Sequence, residues 1–198
     1  MGRLPSSYKS KIDLTINDLD FEVVARNAII LLFVLSRLDE VYTVDGTDDT
    51  GIAEALIHLW YSAFVTAELE SSVRMRVLPF IVEVCDKTKS EMPHTMISET
   101  WYFAFGRTMR LVLRREQWVQ LSEYFAIPGN LSREVACGVR AATVLALERA
   151  DYRDRWYYKD LIPSARVAKQ RFRDDGLLLP FGSPRTGFDV PNPYILPI

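Results

Sequence analysis

The 198 residues are 48% hydrophobic and 25% charged, the balance of a globular chain with enough apolar material for a core, and this excludes global disorder. The net charge of −2 leaves no bulk electrostatic case for nucleic acid or an anionic membrane. The two cysteines, Cys85 and Cys137, lie far apart without framework spacing, so the expectation is reduced, buried thiols in an intracellular protein of the cytoplasm or nucleus.

In chain order, residues 1–11 are polar and are expected to be flexible; Arg3, Lys9 and Lys11 lack the apolar run of a secretion signal. Ile12, Leu14 and Ile16 alternate with Asp13, Thr15 and Asn17, which predicts a short strand. Asp20 then caps a helix over about 21–38, whose apolar face runs from Val23 to Leu35. Its longest apolar run, Ala28–Leu35, is too short for a bilayer, which takes about 20 residues. "TVDGTDDTG" (Thr43–Gly51) is an acidic turn without the ligand spacing of a calcium loop. Ile52–Thr88 is helical in pattern, with Pro79 set to kink it or start a new turn.

Further helices are predicted over about Ser98–Arg115 and Glu116–Phe125, followed by a break at "IPGN" (Ile127–Asn130). Ser132 starts another amphipathic helix, and Asp160–Arg173 forms the last, with Pro163 in its first turn. The tail from Gly176 carries prolines and glycines that exclude a regular helix. In it, Leu177–Leu179 suits a short strand, the run "LLLPFG" suits burial, and Phe188 and Tyr194 suit anchoring to the body. The expected architecture is therefore helix-dominated α/β, with one early strand that must find a neighbour for its backbone.

Few residues carry chemistry. Asp18, Asn17 and Asp20 suit turn and capping work, and Arg26 and Asn27 suit support of the strand–turn junction. His58 stands in an apolar helical run beside Trp60 and Tyr61, and His94 follows Pro93; neither has a partner at metal-ligand spacing, so both read as structural. No metal site and no catalytic thiol is expected. In "ERADYRDRWYYKD" (Glu148–Asp160) acids cancel the bases that could stack with nucleic acid. Arg110 and Arg114, read as one helical turn apart, share a face suited to solvent or to a partner.

"IDLTINDLDFEVVARN" (Ile12–Asn27) resembles the second strand and following helix of class I methyltransferases that use S-adenosylmethionine. In that family an acidic residue ending the strand binds the ribose hydroxyls of the cofactor, and Asp18 is the matching position, the one cofactor-binding candidate here. A carboxylate suits that task because it accepts two hydroxyl protons at once with charge assistance. The family's glycine-rich turn has no counterpart in "MGRLPSSYKS". Together with "FRDDGLLLPFG" (Phe172–Gly182) and "VPNPYIL" (Val190–Leu196), the same stretch looks like an uncharacterised fungal domain family. Longer members of that family can carry a MYND-type zinc finger, and it is related to the N-terminal domain of dynein axonemal assembly factors. The resemblance spans about residues 11–196.

What the resemblance implies is a partial methyltransferase-like Rossmann fold lacking the first strand and glycine-rich turn, because family members begin earlier with a strand and a "GCGD"-like turn. The division expected is a flexible segment 1–11, a single domain 12–182 and a Pro-rich tail 183–198 packed upon it. The function expected is a non-catalytic scaffold or protein-interaction domain with no cofactor, a protein partner, and self-association through an unpaired sheet edge; neither nucleic acid nor membrane is expected as a partner. The alternative is an S-adenosylmethionine-dependent methyltransferase, or a cofactor-binding relative, whose N-terminal part is missing.

Overall fold

The computed structural model describes residues 12–43, 49–126, 132–144, 148 and 158–194, without the side chains of 39–43, 49–50 and 143–144. The expectations for 1–11, for "IPGN" and for most of "TVDGTDDTG" and "ERADYRDRWYYKD" lie outside these residues. Helices dominate: α1 (Phe21–Thr43), α2 (Asp49–Tyr61), α3 (Ala67–Lys87), α4 (Arg115–Glu123), α5 (Arg133–Val144) and α6 (Pro163–Asp175). Four strands, β1 (Phe64–Val65), β2 (Met96–Phe103), β3 (Arg107–Arg114) and β4 (Val190–Pro191), make two antiparallel pairs, β1–β4 and β2–β3. The described protein is thus helix-rich mixed α/β.

Helix α1 starts where the acidic turn ends it as coil. The Asp20 carboxylate accepts the Glu22 N–H at 2.8 Å and satisfies one of the orphan donors of the first turn. Ala25, Ala28, Ile29, Leu32 and Phe33 are buried on one stripe, the i, i+3, i+4 spacing of an amphipathic helix. Helix α3 buries Val73, Val77, Ile81 and Val84 and runs through Pro79 without a break. Pro79 and Met75, one turn before it, face solvent, so the hydrogen bond that proline removes is on the wet side. Ser132 accepts the Val135 N–H at 3.3 Å as the cap of α5, and Pro163 opens α6.

Several expectations are corrected. Ile12–Asn17 is not a strand: it is coil with no ladder among the described residues, and Ile12, Leu14 and Ile16 are exposed. Alternation specifies which residues share a face; it supplies no neighbouring strand. Ile52–Thr88 is two helices, because β1 and the Thr66 cap interrupt it; Thr66 Oγ1 accepts the Leu69 N–H at 3.2 Å. Ser98–Arg115 is a hairpin, not a helix. Trp101 and Phe103 on β2, and Leu111 and Leu113 on β3, are buried at period two, and the turn places Phe105 at φ 59° and Gly106 at φ 69°, as a type I′ connection demands. Leu177–Leu179 forms no ladder, although Leu177 and Leu179 are buried. Cys137 is exposed rather than buried, on the outer side of α5 from the buried Ala136; Cys85 is half-buried, and both thiols are free.

The main core lies where α1, α3 and α4 meet the inner face of the hairpin. Trp118 is completely buried there, edge-on to Trp101 at 6.0 Å between centroids. A smaller cluster of Ala63, Phe64, Ala136, Leu177, Leu179 and Phe188 sits beneath the tail. Tyr194 returns to the main core against Phe125, at 5.9 Å. Between the two clusters, Gly176 ends α6 at φ 80°, and a Cβ on it would come within 2.7 Å of the Ala63 Cβ. Both the left-handed conformation and the close approach require glycine here.

Candidate functional site

The Asp18 carboxylate accepts the Asp20 N–H at 3.0 Å, an Asx turn that delivers the chain to the α1 cap. It lies on an exposed segment. The geometry gives it turn chemistry, with one oxygen already engaged by the backbone. Arg26 and Asn27 sit half-buried one turn into α1.

A buried polar cluster forms around His58, near the end of α2. Its Nδ1 is 2.9 Å from Ser62 Oγ, and Ser62 Oγ also accepts the Leu178 N–H at 3.2 Å. With one lone pair taken by that amide, the Ser62 hydroxyl keeps a proton and a second lone pair for Nδ1, so the pair is satisfied in either neutral tautomer of His58. Nε2 faces Glu54 Oε1 at 3.9 Å. Serine, histidine and glutamate thus line up in the order of a nucleophile triad, but Ser62 is fully buried and its oxygen is held by a tail amide. No substrate carbonyl can reach it, so the arrangement is a structural latch rather than an acyl-transfer site. The Phe188 ring lies 4.8 Å from the imidazole. Asn192 completes the cluster, donating from Nδ2 toward the carbonyls of His58 (3.2 Å), Leu59 (3.2 Å) and Ser62 (2.8 Å). A cleft of about 390 Å³ opens beside it, lined among others by Phe33, Arg37, Glu54, Thr66 and Phe188.

Burial pushes the His58 pKa below 6.5, with Glu54 opposing weakly. The folded state therefore binds its proton more weakly than the unfolded state. The stability contributed by neutral His58 is complete above about pH 6.5 and is lost as pH falls through the folded pKa. In urea titrations, the stability advantage of the parent chain over His58→Gln is expected to hold level above about pH 7 and to shrink as pH falls below about 6.5. A pH-independent difference would show that His58 does not titrate as a buried neutral ring.

The hairpin supplies a different kind of surface. Its outward positions include Met96, Tyr102 and Val112, all exposed, with Arg110 and Arg114 and no acidic residue. Arg110 and Arg114 do share a face, because positions four apart coincide on a strand as they do on a helix. Arg110 Nε donates to Ser98 Oγ at 3.0 Å, and Arg114 stands 3.6 Å from Glu116. At the tip, Phe105 is 75% exposed in the left-handed region, and the Arg107 guanidinium lies 5.6 Å from its ring centre. Sequence reasoning missed Ser62 and Asn192, which only folding brings to His58. It missed the tip as well, although "FGR" between two alternating runs is a hairpin signal.

A family model described as a domain of unknown function (DUF4470) matches residues 1–65, a span that takes in α1, α2 and β1. The first third of the chain is therefore similar to an uncharacterised domain family. No curated protein and no solved structure matches the chain. Among the described residues, no helix is long and apolar enough to cross a membrane, and no cluster of three or more metal-ligating side chains occurs.

Proposed function

We propose that this chain is a non-catalytic protein-interaction domain whose contact face is the outer side of the β2–β3 hairpin, carried on a helix-dominated body descended from a methyltransferase-like fold. One observation carries the reading. Tyr102 is 80% and Phe105 75% exposed on a hairpin that also carries Arg107, Arg110 and Arg114, and Phe105 sits in a backbone region that a bulky side chain enters at a cost. Aromatic residues and arginine are the side chains that dominate binding hot spots. A photo-crosslinking residue at position 102 should form adducts of discrete mass in cells that express the protein natively, whereas one at the exposed Arg171 position should not. Equal adduct patterns at the two positions would remove the hairpin as the contact face.

S-adenosylmethionine-dependent chemistry is the second reading. Its support is that Asp18 stands directly before α1, where the resemblance puts the ribose ligand. Asp18 alone cannot hold both the methionine and ribose ends of that cofactor. Calorimetry on the purified chain should therefore record no binding of S-adenosylmethionine at micromolar concentration. Micromolar affinity that disappears in Asp18→Ala would instead establish the cofactor site.

A further inference from the structure

The outer face of the β2–β3 hairpin carries charge in a fixed order. The register pairs Met96 with Arg114, Ser98 with Val112, Thr100 with Arg110 and Tyr102 with Thr108. These residues alternate with the buried Trp101, Phe103, Leu111 and Leu113, so they lie on the opposite face of the ladder. Along β3 the outward row therefore reads basic, apolar, basic: Arg110, Val112, Arg114. Alternate residues of a strand are roughly 7 Å apart, which sets the two arginine positions about 13 Å apart with Val112 midway. Tyr102 and Thr108 continue the row beyond Arg110.

Both arginines are weakly matched within the chain. Arg110 Nε donates to Ser98 Oγ at 3.0 Å. That neutral partner uses one of the five donors of a guanidinium and helps to orient the rest. Arg114 stands 3.6 Å from Glu116, with its own side chain 55% exposed, and an exposed pair at that distance contributes little. The one acid of the hairpin, Glu99, falls on the inward side of the alternation and lies 3.6 Å from Lys87. The outer face is thus locally basic on a chain whose net charge is −2. A long polyanion would meet repulsion from the rest of the chain, whereas a short acidic segment meets the hairpin alone.

We infer that this face binds an extended acidic peptide of another protein, with two carboxylate side chains on Arg114 and Arg110, an apolar side chain between them on Val112, and a further apolar one beside Tyr102. The inference rests on the reading of the hairpin as a contact face and names the chemistry of the partner. A peptide laid along β3 in extended form repeats at the spacing of the strand beneath it, so acidic, apolar, acidic and apolar residues at every second position match the row. Each carboxylate accepts two parallel N–H bonds from one guanidinium, and Tyr102 is an aromatic anchor of the kind that dominates binding energy.

Fluorescence anisotropy of the 198-residue chain with a labelled peptide Glu-Ser-Leu-Ser-Glu-Ser-Phe tests it. Binding should saturate and weaken as salt is added. Arg110→Glu should weaken it by roughly tenfold or more with little change in the melt, because the side chain is exposed. The chain carrying both Arg110→Glu and Arg114→Glu should instead prefer the same peptide with lysines in place of its glutamates. No binding, binding indifferent to Arg110→Glu, or equal binding of a peptide with its two glutamates adjacent would overturn the inference. A thymidine oligonucleotide that binds more tightly and displaces the peptide would overturn it in favour of nucleic acid, and dimerisation of the chain abolished by Arg110→Glu would do so in favour of a second copy. Failure of the peptide while position 102 still forms discrete adducts would remove the acidic partner and leave the contact face standing. Absence of those adducts would remove the contact face itself.

Discussion

Replacing Trp118 with alanine is expected to cost about 3–5 kcal/mol, the range for deleting a large aromatic from a packed core. The ring is fully buried between α3 and the hairpin, edge-on to Trp101. Its indole N–H points to the Ile97 carbonyl at 3.4 Å, too long to contribute much, so the loss is one of packing rather than of hydrogen bonding. Domains of this kind are stable by about 5–15 kcal/mol, so the variant should sit near its unfolding threshold. Urea denaturation should show a lower midpoint with an unchanged slope, since the folded and unfolded states keep their surface difference. Trp60 is the control. It stacks on Tyr61 and is 47% exposed, and Trp60→Ala should change stability by about 0.5 kcal/mol at most. Comparable losses at both positions would mean that the hairpin does not seat on α3 and α4 as described.

Why Trp118 matters is bound up with what the sequence did and did not disclose. Helix starts were legible because their signals are local: Asp20, Ser132 and Pro163 each act on backbone within three residues. The hairpin was not. Met109, Leu111, Leu113 and the arginines between them are all good helix formers, and their alternation was outweighed by that propensity. What decides the conformation is tertiary: Trp101, Phe103, Leu111 and Leu113 must all face α1, α3 and α4 at once, and only period two lets them. The Ile12–Ile16 stretch shows the converse. Its alternation is plain, yet no described strand ladders with it, so the local pattern alone does not make it a strand. The turn role of Asp18 was readable from residue type, whereas the His58 cluster depends on contacts more than 100 residues apart, as between Ser62 and Leu178 or His58 and Asn192. Periodicity carries no trace of such contacts.

Asn192 is where that non-local information is concentrated, and Asn192→Ala is expected to cost about 2–4 kcal/mol. Its backbone N–H donates to the Ala63 carbonyl at 2.9 Å, and its side-chain oxygen accepts the Tyr194 N–H at 3.1 Å. Its amide nitrogen serves the carbonyls of His58, Leu59 and Ser62, at the end of α2, where helical carbonyls have no partner within the helix. The residue is fully buried, so water cannot replace these bonds at the present packing. The His58 carbonyl retains the Ser62 N–H at 3.0 Å, which keeps the alanine penalty below the sum of three orphaned acceptors. Asn192→Asp discriminates further. It exchanges a donor for a carboxylate oxygen that faces three carbonyl oxygens, so at neutral pH it should be more damaging than alanine. Burial and those oxygens would hold the new carboxyl's folded pKa above its unfolded value of about 3.9. The folded state then binds the proton more tightly, and the stability of Asn192→Asp should rise as pH falls toward that value. Denaturant midpoints measured for both variants from neutral to acidic pH would separate the two effects. If aspartate proves no worse than alanine at neutral pH, the amide does not cap α2, and the tail is held by Phe188, Tyr194 and the β1–β4 pairing alone.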